Sequence, residues 1–320
     1  MTYQSTAISN DVTTLPTLPG WVTTARSETV ETVAFRSGAV LTVLEQLVSD
    51  TAHGVPVKLL ANRLALKAAT ATSKLEGRMA LEADIRDAYH LTPVGEARGP
   101  DGDLLAYWRE AAGWRLNGSD WHRGLEGIVG PSFEDDVAGW IEAGAECVLT
   151  HGPIAGCVSV MRMVLGVDDR AERTASLLSD VVLARMLNWK AVLPVTAQRL
   201  TKGTLRDLAA NRQGAELAVQ ARILDSIEET IRVARDLAQR GSALQAIAPK
   251  LRAKGSEAAV TLFLSEDAVA PSTMLSPMIQ GTSIPMTDRA TRRFCDRLVE
   301  LGVARELTGR STFRLYGIAP

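Results

Sequence analysis

The sequence predicts a mainly α-helical protein, a helical bundle followed by a smaller C-terminal module of helices and a short β-hairpin. Apolar residues make up 46% of the 320 positions but aromatics only 5%, and Ala, Leu, Arg and Glu are abundant. Such a composition favours packed helices. Apolar residues recur at helical spacing through most of the chain from Glu28 to Arg240. Beyond Met286 that periodicity gives way to one more helix and then to two short β-forming runs about a turn.

Residues 1–27 are rich in Thr, Ser and Pro and carry no helical stripe, so they read as a flexible tail docking through Trp21. Glu28 to Asp50 spaces Val33, Val40, Leu44, Leu47 and Val48 for an amphipathic helix that His53 and Gly54 end. Pro56 opens the next helix, which runs through Leu59, Leu60, Leu64 and Leu66 to Gly77; its Ala68, Ala69 and Ala71 let neighbours approach, which marks it as central. A short charged helix, Ala80 to Tyr89, precedes a turn-rich stretch. Tyr107, Trp108, Trp114 and Trp121 then cluster, and without interleaved basic residues they read as core anchors rather than a base-stacking platform. Further helices are predicted over Phe133 to Leu149, Ile154 to Leu165 and Asp168 to Trp189.

Gly214 to Arg240 is the longest clean amphipathic pattern, with Glu228 and Arg232 placed to pair at i,i+4 and Gly241 as its stop. The all-helical domain therefore spans 28–240 and a linker 241–255. In the module over 256–320, EAAVTLFLSEDA reads as a first helix and Thr273 to Gln280 as a second, with Pro271, Pro277 and Pro285 at the turns.

The last stretch is the most informative. Thr287 and Asp288 can cap a helix whose stripe is Ala290, Phe294, Leu298 and Leu301, and Gly302 stops it. Val303 to Glu306 and Ser311 to Tyr316 then form a hairpin about Thr308, Gly309 and Arg310. A helix leading into such a ribbon is the closing half of a winged helix-turn-helix. Arg289, Arg292, Arg293 and Arg297 fall off the apolar stripe, while Arg305, Arg310 and Arg314 lie in or beside the hairpin. Against these stand Asp288, Asp296, Glu300 and Glu306, so the stretch is basic in a chain whose net charge is −2. A surface for polyanions must therefore be local. Arg289, Arg292, Arg293, Arg297, Arg310 and Arg314 are the candidate contacts to double-stranded DNA, through phosphates or guanine edges. The helical domain is left to mediate homodimerisation.

Other chemistry is sparse. Cys147, Cys157 and Cys295 are odd in number and scattered, which reads as reduced thiols in the cytoplasm, and with only His151 nearby they imply no metal site. The apolar run Ala155 to Val167 is broken by Ser159 and Arg162, too short and polar to span a bilayer, and no signal segment opens the chain. No GxGxxG, GxxxxGK[ST], HExxH or GxSxG occurs, and Asp135/Asp136 and Asp168/Asp169 sit at predicted helix starts. The sequence thus implies no cofactor.

At Thr72 to Gly77, TSKLEG resembles the [ST]-x-x-x-E-[GN] inhibitory-helix pattern of Fic-domain proteins. The resemblance implies that Thr72, Glu76 and Gly77 hold the motif positions, with the glutamate reaching into a nucleotide site to restrain nucleotidyl transfer. Many Fic proteins also carry a winged helix after a long C-terminal helix. Their catalytic loop, H-P-F-x-[DE]-G-N-G-R-x-x-R, has no counterpart: His53, His90, His122 and His151 all lie in other contexts, and HGPIAG at His151 lacks the acid, the asparagine and the arginines. No catalytic residue is therefore assigned. Over its whole length the chain resembles the rhizobial and other alphaproteobacterial proteins of domain of unknown function family 1403, which are similar in length and share the ending RELTGR-x-TFRLYG. The leading expectation is a DNA-binding transcriptional or plasmid-associated regulator. The alternatives are a divergent Fic-like nucleotide-binding protein or nucleotidyltransferase, and a winged-helix protein-docking scaffold.

Overall fold

A computed structural model describes residues 15–24, 29–93, 95–116, 121–130, 132–133, 135–251, 254–310 and 312–318. Most of the tail predicted over 1–27 lies outside these. Within the rest of it, α1 (Gly20–Thr23) anchors through fully buried Val22, whereas Trp21 is 58% exposed with its ring 5.4 Å from Phe35. Helix α2 (Val30–Ser49) starts from a capping box between Thr29 and Thr32. Helix α3 (Val57–Leu75) is central as its alanines suggest: Ala68 and Ala69 are fully buried, and it packs on α4 (Glu82–His90) and α5 (Gly99–Gly113). Trp108 of α5 lies wholly in the core and donates its indole N–H to Thr72 Oγ1 at 3.0 Å. Leaving that N–H unpaired would cost about 1–3 kcal/mol.

The short α6 (Trp121–Val129) leads to a layered trio, α7 (Val137–His151), α8 (Pro153–Val167) and α9 (Glu172–Met186). Gly144 and Gly156 let α7 and α8 meet backbone to backbone, since a Cβ on Gly156 would fall 2.7 Å from Gly144 O. Asp180 of α9 is fully buried and accepts Val195 N–H at 3.0 Å and Thr196 N–H at 2.8 Å, which fixes the 3-10 turn Thr196–Arg199. Burial pushes its carboxyl up to about 7 against the pull of those N–H groups.

After α10 (Lys202–Ala209) comes α11 (Ala215–Ile247), which packs along α2 and the Thr196–Arg199 turn. Two expectations fail on it. The helix runs through Gly241 instead of stopping there: a Cβ at that position would lie 3.3 Å from Leu264 and 3.7 Å from Pro56, so the glycine serves close approach. Glu228 pairs across the interface with Arg36 of α2, and Arg232 bridges Glu229 instead at 3.2 Å. Glu228 faces a neighbouring helix, and there a long-range cation displaces the i,i+4 partner.

The C-terminal residues begin with α12 (Ser256–Phe263). The helix predicted over Thr273 to Gln280 is only one π-helical turn, Pro271–Leu275, because Pro277 forces Ser276 into extended backbone at φ −124° and ψ 144°. Helix α13 (Asp288–Glu300) follows, with Thr287 Oγ1 accepting Ala290 N–H at its start. At its end Gly302 stands at φ +70°, and N–H bonds run from Gly302 to Val299 O and from Val303 to Leu298 O, a Schellman stop. The two strands β1 (Arg305–Glu306) and β2 (Tyr316–Gly317) pair antiparallel, with Glu306 opposite Tyr316. They are shorter than predicted, and a wide loop takes the place of a tight turn because the Glu306 carboxylate accepts the Thr308 and Gly309 N–H groups, at 2.7 and 2.8 Å.

These C-terminal elements and the helices before them share one contiguous apolar core reaching from Val22 to Ile318. A charged cluster joins them. Arg109 bonds both Glu266 and Asp267, His90 Nε2 lies 3.3 Å from Asp267 Oδ1, and Asn62 donates to Ser265 O at 2.7 Å. Burial alone would raise the Asp267 carboxyl, but His90 and Arg109 hold it at about 2. No helix among the described residues is long and apolar enough to cross a membrane.

The two buried aspartates have opposite pH signatures. Replacing Asp267 by Asn leaves Arg109 and His90 facing a neutral amide, and urea unfolding at pH 7 should show a loss of about 3 kcal/mol. The unfolded carboxyl titrates near ~3.9, so this contribution is present above that pH and disappears as pH falls towards about 2; the gap between wild type and variant narrows over the same window. Asp180 keeps its proton to about pH 7 in the fold and releases it near ~3.9 when unfolded, so it lowers stability as pH rises between those values. Asp180→Asn should flatten that part of the stability profile.

Candidate nucleic-acid interface

Helix α13 divides sharply by face. Thr291, Phe294, Cys295 and Leu298 are buried, Ala290 is half-buried, and Phe294 meets Phe263 of α12 at 6.2 Å between rings. Leu301, predicted to extend the stripe, turns outward beyond the helix end. On the other face Arg289, Arg292, Arg293 and Arg297 are all exposed, as predicted. Among the described residues Arg289, Arg292 and Arg293 have no ion-pair partner, whereas Arg297 pairs with Glu300 at 3.1 Å. An exposed pair of that kind contributes about 0–1 kcal/mol and yields readily to another anion. The cationic surface is concentrated in the first half of α13, since Asp296 and Glu300 share the exposed face of the second half.

The hairpin contributes differently. Arg310 is exposed but lies 3.2 Å from Asp87 of α4, so it ties the loop to the helical body instead of standing free. Arg86 of α4 donates to Leu307 O at 3.1 Å beside it. Arg314 Nε donates to Arg310 O at 3.0 Å, and the guanidinium lies near Tyr316, Glu306 and Asp296, which raises its pKa through a hydrogen bond with Tyr316 first of all. Burial would raise the Glu306 carboxyl, but its Thr308 and Gly309 donors and Arg314 lower it. The six predicted arginines thus form two groups, an open row on α13 and a structurally engaged pair in the hairpin loop.

Three residues carry roles that the sequence reasoning missed. Phe313 is 72% exposed and adopts φ +53°, a left-handed conformation unusual for an aromatic residue. The run RSTFRLY hinted at it only through an apolar residue between two arginines. Glu266 and Asp267, which fix the module's position, had no local signal at all.

Thr72, Glu76 and Gly77 close α3. Thr72 Oγ1 donates to Ala68 O at 2.8 Å, and Gly77, at φ +82°, donates to Lys74 O while Arg78 N–H reaches Ser73 O, another Schellman stop. Glu76 is held by Arg173 Nε at 2.9 Å and Arg78 Nη2 at 2.8 Å. Cys157 shares hydrogen bonds with Ser179, and burial pushes its thiol up. A groove of about 480 Å³ lies among α8, α9 and α10, lined by Arg170, Glu172, Lys202 and Arg206 among others; none of the predicted site residues lines it.

A family model described as "Protein of unknown function (DUF1403)" matches residues 6–318. The chain belongs to this family. None of the curated proteins matches it. In this DUF1403 chain the match covers both the helical body and the C-terminal elements, and the TSKLEG residues, which together with the order of elements carried the Fic resemblance, here serve as a helix end.

The strain at Phe313 is measurable. Left-handed backbone costs an L-residue roughly 1–2 kcal/mol, and glycine returns part of the relief through a freer unfolded chain. Phe313→Gly should therefore raise the unfolding free energy by about 0.5–1 kcal/mol, read by thermal or urea denaturation.

Proposed function

We propose that this protein binds double-stranded DNA through residues 256–320, as a cytoplasmic transcriptional or plasmid-associated regulator. The observation that carries the reading is the open guanidinium row on α13. Arg289, Arg292 and Arg293 face solvent without acidic partners among the described residues, in a chain whose net charge is −2. Cations kept solvated and unpaired on one helix face, opposite a packed one, suit phosphate contacts and guanine edges.

The order of elements supports a winged helix-turn-helix reading of the module. Helix α12 leads to Val269, whose N–H bonds Tyr316 O at 2.7 Å and whose O accepts Tyr316 N–H at 2.9 Å, an antiparallel bridge onto β2. The π-helical turn Pro271–Leu275 stands where such a module has its second helix, and α13 and the hairpin follow it. On this reading α13 is the recognition helix and its N-terminal half lies nearest the bases.

A docking role for the same module is favoured by the exposed apolar side chains of Met278, Val299 and Leu301. It predicts a co-purifying protein and no complex with DNA.

Mobility shifts on random and native-locus duplexes over a salt series test the DNA reading. Each lost phosphate contact lowers the slope of log K against log salt by about 0.9. Arg292→Ala with Arg293→Ala should therefore weaken binding roughly 10- to 100-fold and flatten the slope by about two units. Absence of any wild-type complex at low salt would overturn the proposal.

A further inference from the structure

Phe313 turns its aromatic ring to solvent from the hairpin loop. It is the most exposed aromatic side chain among the described residues and makes no ring contact among them. The next apolar residues, Leu315 and Tyr316, are buried and anchor the returning strand.

The loop that carries it is held at several points. Leu307 N–H bonds Leu315 O at 2.8 Å across the base, and the Glu306 carboxylate gathers the Thr308 and Gly309 N–H groups. Arg310 is pinned to Asp87 at 3.2 Å, and Arg314 Nε bonds Arg310 O at 3.0 Å. A ring presented from a cross-braced loop loses little conformational entropy on binding. Its left-handed backbone is maintained although glycine would relieve it, the kind of strain that collects at binding sites.

The module that carries the ring also carries the open arginine row of α13. Arg310 and Arg314 flank the ring in sequence, but Arg310 is paired with Asp87 and Arg314 lies near Glu306 and Asp296, so the cations left open to a partner are those of α13. An apolar protein surface would have to desolvate the charged groups around the ring, whereas a nucleic acid offers phosphates to the open arginines of α13 and an aromatic face to the ring.

We infer that Phe313 is a wedge that enters a base step of duplex DNA and partly unstacks it while Arg289, Arg292 and Arg293 hold the backbone. This rests on the DNA-binding reading and specifies how the hairpin takes part in it. Pyrimidine–purine steps, which kink most easily, are the preferred points of entry. The wedge is a positioning element for the bent duplex and carries no base-specific hydrogen bond.

The test uses the full chain and duplexes carrying 2-aminopurine at a TA or CA step, with donor and acceptor dyes at the ends. Wild-type protein should raise 2-aminopurine fluorescence and shorten the end-to-end distance. Phe313→Ala should abolish the fluorescence rise and weaken binding about ten-fold, in the range expected for one stacked base, while Phe313→Leu, which keeps an apolar wedge, retains most of both signals. Phe313→Gly serves as the folding control, since it should lose the fluorescence rise while melting above the wild type. If Phe313→Ala binds, bends and unstacks the duplex as the wild type does, the wedge is overturned and DNA binding stands. If the wild type binds no duplex, the DNA reading fails and the wedge with it.

Discussion

Two adjacent carboxylates in the interior, Glu266 and Asp267, constrain how the C-terminal elements can sit. Buried carboxylates are tolerated only where cations and donors surround them. Those groups come from three helices of the body: Arg109 from α5, His90 from α4, and Lys58 and Asn62 from α3. Arg63 adds a bond to Ile318 O at the far end of the module. Burial lowers the Arg109 pKa less than Asp267 and Glu266 raise it, so the guanidinium keeps its charge. Displacing α12 from this position would strand acids and bases together, which gives the placement its specificity beyond apolar packing.

The helical character and the approximate place of most of the longer helices were legible from apolar spacing, because these helices bury one face and expose another; α5, whose first residues Gly99, Pro100 and Gly102 read as a turn, and the short α1 and α6 were not. What local reasoning misjudged were positions decided by distant partners. Gly241 has the look of a stop and is an approach point for Pro56 and Leu264. Glu228 has a cation four residues on and chooses Arg36, 192 positions away. The second module helix shrank to one turn because Pro277 dictates the backbone before it. On α13 the division between stripe and arginines was readable, since both lie within one helix. Arg310 was not, because its acid is on α4.

The chain's charges are partitioned with some economy. In the body most arginines are consumed internally, as with Arg36 on Glu228, Arg173 on Glu76 and Arg162 on Glu216. Helix α13 departs from that habit by leaving three cations solvated on one face. A protein with little net charge can thereby present a locally cationic surface without general affinity for polyanions.

The tether between α4 and the hairpin has a mechanical consequence. Arg86 and Asp87 grip the loop at Leu307 and Arg310, so the loop's aim is set by a helix of the body and not by α13. A fragment beginning at Ser256 would lose both grips together with Lys58, Asn62, His90 and Arg109, the partners of the Glu266 and Asp267 side chains. The body therefore acts as the mount that orients the module, and any force that tilts α4 is delivered directly to the loop.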